Sequence, residues 1–144
     1  PILVPDPPDS PLRHIYSHDV VSAISTLINT GKGKGRAYNI SQDETLTLDE
    51  FLDILGDVLG ITPHIQRVER SVLEANGFLP DCSPYSDLWM SELDNSRSKA
   101  EFGMEYTPVR TYLEKIVAYY DQYDIPAPVS YRRRHAEKML LTHQ

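Results

Sequence analysis

The sequence predicts a mixed α/β fold, a small sheet with several helices packed on it, from two kinds of apolar spacing and the stops between them. Short runs such as Ile2 to Val4, RHIY, RAYNIS and HIQRVER read as strands, whereas VVSAISTLINT, FLDILGDVL and VRTYLEKIVAYY repeat apolar residues at helical spacing. The chain of 144 residues suits one domain, long enough to bury a core and short for two independent ones.

The elements follow in order. Ile2 to Val4 is an apolar triplet of the kind expected from a strand separated from its sheet, and with Pro1 ahead of it the chain reads as a fragment. After the proline-rich loop Pro5 to Pro11, RHIY is a strand candidate and Asp19 an N-cap for a helix with Val20, Ala23, Ile24, Leu27 and Ile28 on one face. Gly31 stops that helix, Lys32 to Gly35 turns, and RAYNIS is the next strand. Thr47 and Glu50 form a T-x-x-E capping box that opens a helix faced by Leu48, Phe51, Leu52, Leu55, Val58 and Leu59 and closed by Gly60. HIQRVER alternates like a strand, and Ser71 with Glu74 gives a second capping box. Leu79 to Met90 reads as a long loop lying over a pocket. DNSRSKAEFG gives a short helix ending at Gly103. Thr107 then caps a helix with Pro108 at its first position and Val109, Tyr112, Leu113, Ile116, Val117 and Tyr120 on its apolar face. IPAP breaks that helix, and Ser130 starts a last, thinly apolar one.

Composition narrows the function classes. A net charge of −7 opposes broad contact with nucleic-acid phosphates or anionic lipid, and Arg132 to Arg134 is read as a solvated face or a partner contact. No run approaches the roughly 20 apolar residues of a membrane helix. One cysteine, Cys82, excludes an intramolecular disulfide and a cysteine metal cluster, which fits a cytoplasmic setting.

The sequence contains no glycine-rich dinucleotide loop, no P-loop, no G-x-S-x-G and no H-E-x-x-H. His14 and His18 are four apart but straddle a strand-to-helix junction, so they do not share a helical face toward a metal. Arg13 is the leading candidate for ligand contact: its guanidinium suits a phosphate or carboxylate, with a salt bridge to Asp6 or Asp9 as the alternative. Tyr16, Tyr38 and Asn39 are core or pocket residues. Asp43, Glu44, Asp49 and Glu50 are structural acids, and Tyr119, Tyr120 and Tyr123 are packing residues.

In order and spacing these pieces resemble the C-terminal part of the extended short-chain dehydrogenase/reductase superfamily, the NAD-dependent epimerase/dehydratase family. The resemblance is carried by RHIYSHDVVSAI, AYNIS, TLTLDEFLDILGDVLG, LDNSRSKAEFGM and YTPVRTYLEKIVAYY, covering Leu12 to Tyr123. Where many members have a Gly-x-Gly turn before the arginine, this chain has DPPDSP.

The resemblance implies a substrate-binding domain over residues 1–124 and a helical extension over 125–144. It also implies a missing N-terminal Rossmann half holding the glycine-rich loop and the Tyr-x-x-x-Lys pair. NAD or NADP would bind that half and none would bind this chain alone. In such an enzyme the tyrosine acts as acid and base while the nicotinamide takes and returns a hydride. The present lobe would position a nucleotide-sugar or a related small molecule, with Arg13 at the diphosphate or ribose and Tyr16 and Asn39 beside it; it would carry no catalytic residue. Surface made to meet the missing half would drive self-association. The competing expectations are a non-catalytic RNA- or protein-binding module from a degenerate relative, and a free-standing α/β domain without a ligand.

Overall fold

The structure, a computed structural model, describes residues 1–6, 11–12, 14–78, 92–126 and 133–142. Within them the order is β1 (Ile2–Asp6), α1 (Ser17–Thr30), α2 (Leu48–Leu59), β2 (Ile65–Glu69), α3 (Arg70–Ala75), α4 (Ser96–Phe102), α5 (Val109–Gln122) and α6 (Arg134–Thr142). The fold is mixed α/β, as the two periodicities predict.

β1 does not lack a partner. It pairs in parallel with β2, Ile2 opposite Ile65 through Asp6 opposite Glu69, and the chain passes through α1 and α2 between the two strands, as a parallel pair requires. Val4 and Val68 are buried. Val68, Leu73 and Phe78 form one core cluster, against which Leu3, Val72 and Leu140 of α6 pack. α6 is thus seated by Leu140 and tied to the first strand through the Arg134 guanidinium, which donates to the Pro1 carbonyl at 2.5 Å. Arg134 also pairs with Glu137, and Arg133 donates to the Gly77 carbonyl at 2.6 Å, so these arginines serve the fold; Arg132 and Ser130 lie outside the described residues.

The second cluster joins α2 and α5. Val109, Tyr112 and Leu113 are buried against Phe51, Ile54, Leu55 and Val58, with Tyr16 and Leu46 at the margin. Gly56 allows the close return of the chain after α2, since a Cβ there would meet Pro63 Cδ at 2.6 Å and the Ile61 carbonyl at 2.8 Å. The third cluster places Ala23 with Met104 and Tyr106. Of the face expected on α1, Ala23 is the buried member; Ile24 and Ile28 are 51% and 75% exposed, as is Val21 beside them at 57%. On α5 burial likewise fades along the helix, and Tyr119, Tyr120 and Tyr123 are exposed, packing on one another rather than into the core.

Several local expectations are corrected. RHIY forms no strand at its described residues: Leu12 N–H donates to the Leu46 carbonyl at 2.7 Å, but no ladder continues from it. RAYNIS forms no strand, because the segment beside it offers side chains and isolated carbonyls instead of a continuous backbone ladder. Asn39 Nδ2 donates to the Asp94 carbonyl, Ser41 Oγ to the Leu93 carbonyl and Asn95 Nδ2 to the Ser41 carbonyl. α1 starts three residues earlier than expected, with Tyr16 at the N-cap, which puts Asp19 inside the first turn and turns its carboxylate elsewhere. Ser71 is not a cap either: α3 begins after Glu69, and Glu74 pairs with Arg70 at 2.9 Å. Thr107 is displaced from the cap of α5 by Pro108. The Thr47 and Glu50 capping box forms as read, and left-handed glycines end α1, α2 and α4. The Leu79 to Met90 loop lies outside the described residues.

Candidate functional site

A concavity among the described residues collects three stretches that lie apart in sequence: Leu12 and His14 ahead of α1, Ser41 to Thr45 ahead of α2, and Glu92 to Asn95 ahead of α4. It encloses about 170 Å³. The N-terminus of α5 sits behind it, and most of the surrounding polar groups are spent on holding that helix start and the neighbouring loops.

Glu44 shows how. Its carboxylate accepts from the Val109 N–H at 3.0 and 3.2 Å, supplying from a distant loop the acceptor that a helix N-terminus needs. Gln42 Nε2 donates to the same carboxylate at 2.6 Å and to the Thr107 carbonyl at 2.8 Å. One residue before the cap, buried Asp19 accepts from the Thr107 N–H at 2.9 Å and from its hydroxyl at 2.8 Å. Two carboxylates thereby fix the start of α5 from outside.

The remaining acids of the cleft are also engaged. Asp43 meets Lys99 at 3.1 Å and Asn95 Nδ2 at 2.7 Å. Burial pushes the Asp43 carboxyl up, but the hydrogen bonds from Asn95 and Lys99 outweigh this and hold it below its ordinary value. Asp94 is likewise held low, by hydrogen bonds from the Ser96 side chain and amide. Glu92 accepts from the Thr45 hydroxyl at 3.0 Å.

Against this background two atoms stand out. His14 Nδ1 is 2.9 Å from the Tyr112 hydroxyl, and the ring lies between Phe51 and Tyr112, with centroids 5.2 and 5.8 Å away. Burial lowers the His14 pKa, with the nearby Glu44 charge opposing, so the neutral imidazole is favoured. Its Nε2 is buried without a partner among the described residues, as is Gln42 Oε1. Both residues line the cleft. A cleft lined by Asp43, Glu44, Glu92 and Asp94 suits a neutral, hydroxyl-bearing group better than a bare phosphate. No group of three or more His, Cys, Asp or Glu among the described residues is arranged to hold a metal ion.

Of the residues singled out in the sequence, Arg13 lies outside the described residues. Tyr16 is half-buried and stacks on Tyr112, centroids 5.5 Å apart and planes 8° from parallel, with the Lys115 ammonium 5.7 Å from its ring. Asn39 is exposed and is joined through its amide to the Asp94 carbonyl. Neither lines the cleft: Tyr16 reaches it only through Tyr112, whose hydroxyl meets His14, and Asn39 only through its bond to the Asp94 carbonyl. His14, Gln42, Glu44 and Tyr112 are the residues sequence reasoning passed over as site residues. The alternation of Leu12 and His14 around Arg13 was the one local signal for His14; nothing local marks Gln42.

No family model and no curated protein matches the sequence. Solved structures do match in fold. RMD from Pseudomonas aeruginosa, complexed with NADPH, superposes with a TM-score of 0.59 at 17% identity, over 81% of this chain and 34% of that one. A functionally unknown conserved protein from Silicibacter pomeroyi gives 0.61 at 20% identity, over 81% of this chain and 40% of its own. The Bordetella bronchiseptica enzyme WbmH, in complex with NAD+, gives 0.56 at 20% identity, over 85% and 36%. This chain thus spans between a third and two fifths of the length of the structures it matches, and no helix among its described residues is long and apolar enough to cross a membrane. At these identities the likeness establishes a shared architecture: the mixed α/β fold of this chain recurs as a portion of larger proteins, two of them solved with a nicotinamide dinucleotide bound.

Proposed function

We propose that this chain is the substrate-side lobe of an NAD(P)-dependent protein of the epimerase/dehydratase type, positioning a nucleotide-sugar or a related hydroxyl-bearing substrate without carrying the catalytic groups itself. The observation that carries this reading is the fold likeness over about four fifths of the chain to part of two proteins solved with NADPH and NAD+. The exposed stripe Val21, Ile24 and Ile28 on α1 adds to it as a surface for a cofactor-binding Rossmann half.

In this reading the ligand divides by charge. The diphosphate lies toward Arg13, whose guanidinium offers paired donors, and away from the acidic cleft. Sugar hydroxyls face the cleft, where His14 Nε2 and Gln42 Oε1 have no other partner among the described residues. Tyr16 and Asn39 border the two ends. The nicotinamide cofactor, bound by the other half, would supply the hydride chemistry.

Titration calorimetry with UDP-, GDP- and dTDP-sugars, on the wild type beside Arg13→Ala, tests this. Saturable binding that falls at least about tenfold in Arg13→Ala, about 1.4 kcal/mol, is expected, with no binding of NADPH or NAD+ by this chain alone. Binding of a nicotinamide dinucleotide, or nucleotide-sugar binding indifferent to Arg13, contradicts it. A second reading, a protein-docking module without catalysis, is favoured by the same α1 stripe; the net charge of −7 weighs against RNA as its partner.

A further inference from the structure

The two-stranded sheet has two edges, and they are not equivalent. Ile2 N–H donates to the His64 carbonyl at 2.7 Å. With the register Ile2 to Ile65, this turns the backbone groups of Ile2, Val4 and Asp6 toward β2 and those of Leu3 and Pro5 outward. Pro5 has no N–H, so the outer edge of β1 is interrupted at its centre.

On β2 the same alternation turns Gln66 and Val68 toward β1 and leaves Ile65, Arg67 and Glu69 pointing outward. β1 is the strand neighbour of β2, and no backbone partner for these outward groups exists among the described residues. Both faces of the sheet are occupied: the Val68 face by α3 and Leu140 of α6, the Arg67 face by the ion pair to Asp49 of α2. Among the described residues the open direction is the β2 edge.

We propose that this edge pairs antiparallel with the same edge of a second copy of the chain, closing a twofold dimer with strand order β1-β2-β2-β1. The argument is the pattern of free donors and acceptors. The edge runs from Pro63, which has a carbonyl but no N–H, to Glu69, whose N–H is free while its carbonyl, at the N-cap of α3, opens the helix. With Gln66 opposite Gln66 of the second copy, Ile65 and Arg67 exchange both of their bonds across the twofold axis. Each Glu69 N–H then faces the Pro63 carbonyl, which has no backbone partner among the described residues, and the missing N–H of Pro63 falls opposite the spent carbonyl of Glu69. Shifting the register toward either end of the strand leaves a donor or an acceptor unmatched. The paired Gln66 side chains sit on one face and join amide to amide. Pro5 on both outer strands stops further addition, so the assembly is a closed dimer and not a fibre.

The test combines oligomeric state with a register probe. Sedimentation of the wild type across micromolar to millimolar concentrations is expected to show a monomer–dimer equilibrium. Arg67→Ala, which loses the Asp49 pair but keeps the N–H, still dimerises. Arg67→Pro, which removes the outward N–H in each copy and leaves the β1 ladder intact, weakens dimerisation by about tenfold or more. In a Cys82→Ser background, Gln66→Cys forms an intermolecular disulfide on mild oxidation, since non-hydrogen-bonded pairs bring Cα atoms to about 4.5 Å. Circular dichroism checks that each variant folds. A wild type that stays monomeric throughout, a dimer equally strong in folded Arg67→Pro, or a Gln66→Cys chain that does not cross-link overturns the proposal.

Discussion

Helices α2 and α5 begin with the same unmet need, free amide groups at the N-terminus, and meet it over very different distances. α2 uses its own next residues: the Thr47 hydroxyl accepts from the Glu50 N–H at 3.3 Å, and the Glu50 carboxylate accepts from the Thr47 N–H at 2.8 Å. α5 uses Glu44, 65 residues earlier, on Val109, and Asp19, 88 residues earlier, on Thr107. A local cap stabilises one helix. A distant cap stabilises the helix and also fixes where α1 and the 41–46 segment stand relative to it, and the candidate cleft is the space left between them. The start of α5 is therefore where folding and site geometry are the same interaction.

That contrast sets the order of expected effects. Asp19→Ala is the most damaging: it leaves the partly buried Thr107 N–H and hydroxyl without their charged acceptor and lowers unfolding free energy by about 2 kcal/mol in chemical denaturation. Asp19→Asn, which keeps an acceptor, recovers part of the loss. Glu44→Ala follows, at about 1.5 kcal/mol, because the Val109 N–H loses its acceptor and Gln42 a partner. Thr47→Ala costs about 1 kcal/mol and leaves ligand binding unchanged, since its cap is confined to α2. If Thr47→Ala disturbed the cleft as much as Glu44→Ala, the distinction between local and distant caps would fail. Arg110→Ala, which removes an exposed pair at 2.8 Å between α5 and Asp57 of α2, changes stability by only a few tenths of a kcal/mol.

The subtlest expected effect is a slope with pH. The pKa of His14 is lowered from 6.5 chiefly by burial, so between its folded value and 6.5 the unfolded chain binds the proton that the folded chain refuses. Stability is accordingly complete above pH 6.5 and declines as the pH falls below it, until the folded His14 also titrates. The carboxylates of Asp43, Glu50, Asp94 and Glu101, all held below their ordinary values, add their own loss only further down, near 4.5 and below. Denaturation midpoints of wild type and His14→Gln between pH 7 and 5 check this, the variant being expected to show the shallower slope.

What the sequence made legible follows the same division. The T-x-x-E box, the helical faces, the glycine stops and the alternation of HIQRVER are all encoded within a few residues, and they gave the α/β architecture and most of its helices. RHIY and RAYNIS have the composition of strands, but a strand is defined by what lies beside it, and here the neighbour of RAYNIS is a loop that bonds through Asn95 and through the Leu93 and Asp94 carbonyls. Asp19 has the chemistry of a cap but caps no helix: its carboxylate anchors Thr107, the residue before the N-cap of α5. The cleft was illegible for the same reason: His14, Gln42 and Asp94 come from three segments whose meeting no local pattern records. Arg13 was singled out by the chemistry of its guanidinium, whereas Tyr16 and Asn39 were favoured as site residues only through the family resemblance; neither lines the cleft, Tyr16 stacking on Tyr112 and Asn39 bonding to the Asp94 carbonyl.

The most direct test of the substrate-side reading is an amide-resolved NMR titration of this chain with a UDP-sugar, a GDP-sugar and the corresponding nucleoside diphosphates. The account predicts that the nucleotide-sugar shifts the Arg13 and Tyr16 amides together with those of His14, Gln42 and Asp43, and that the diphosphate alone shifts the Arg13 side while leaving the cleft unmoved. Perturbations that are absent, or confined to surfaces away from both, would contradict it.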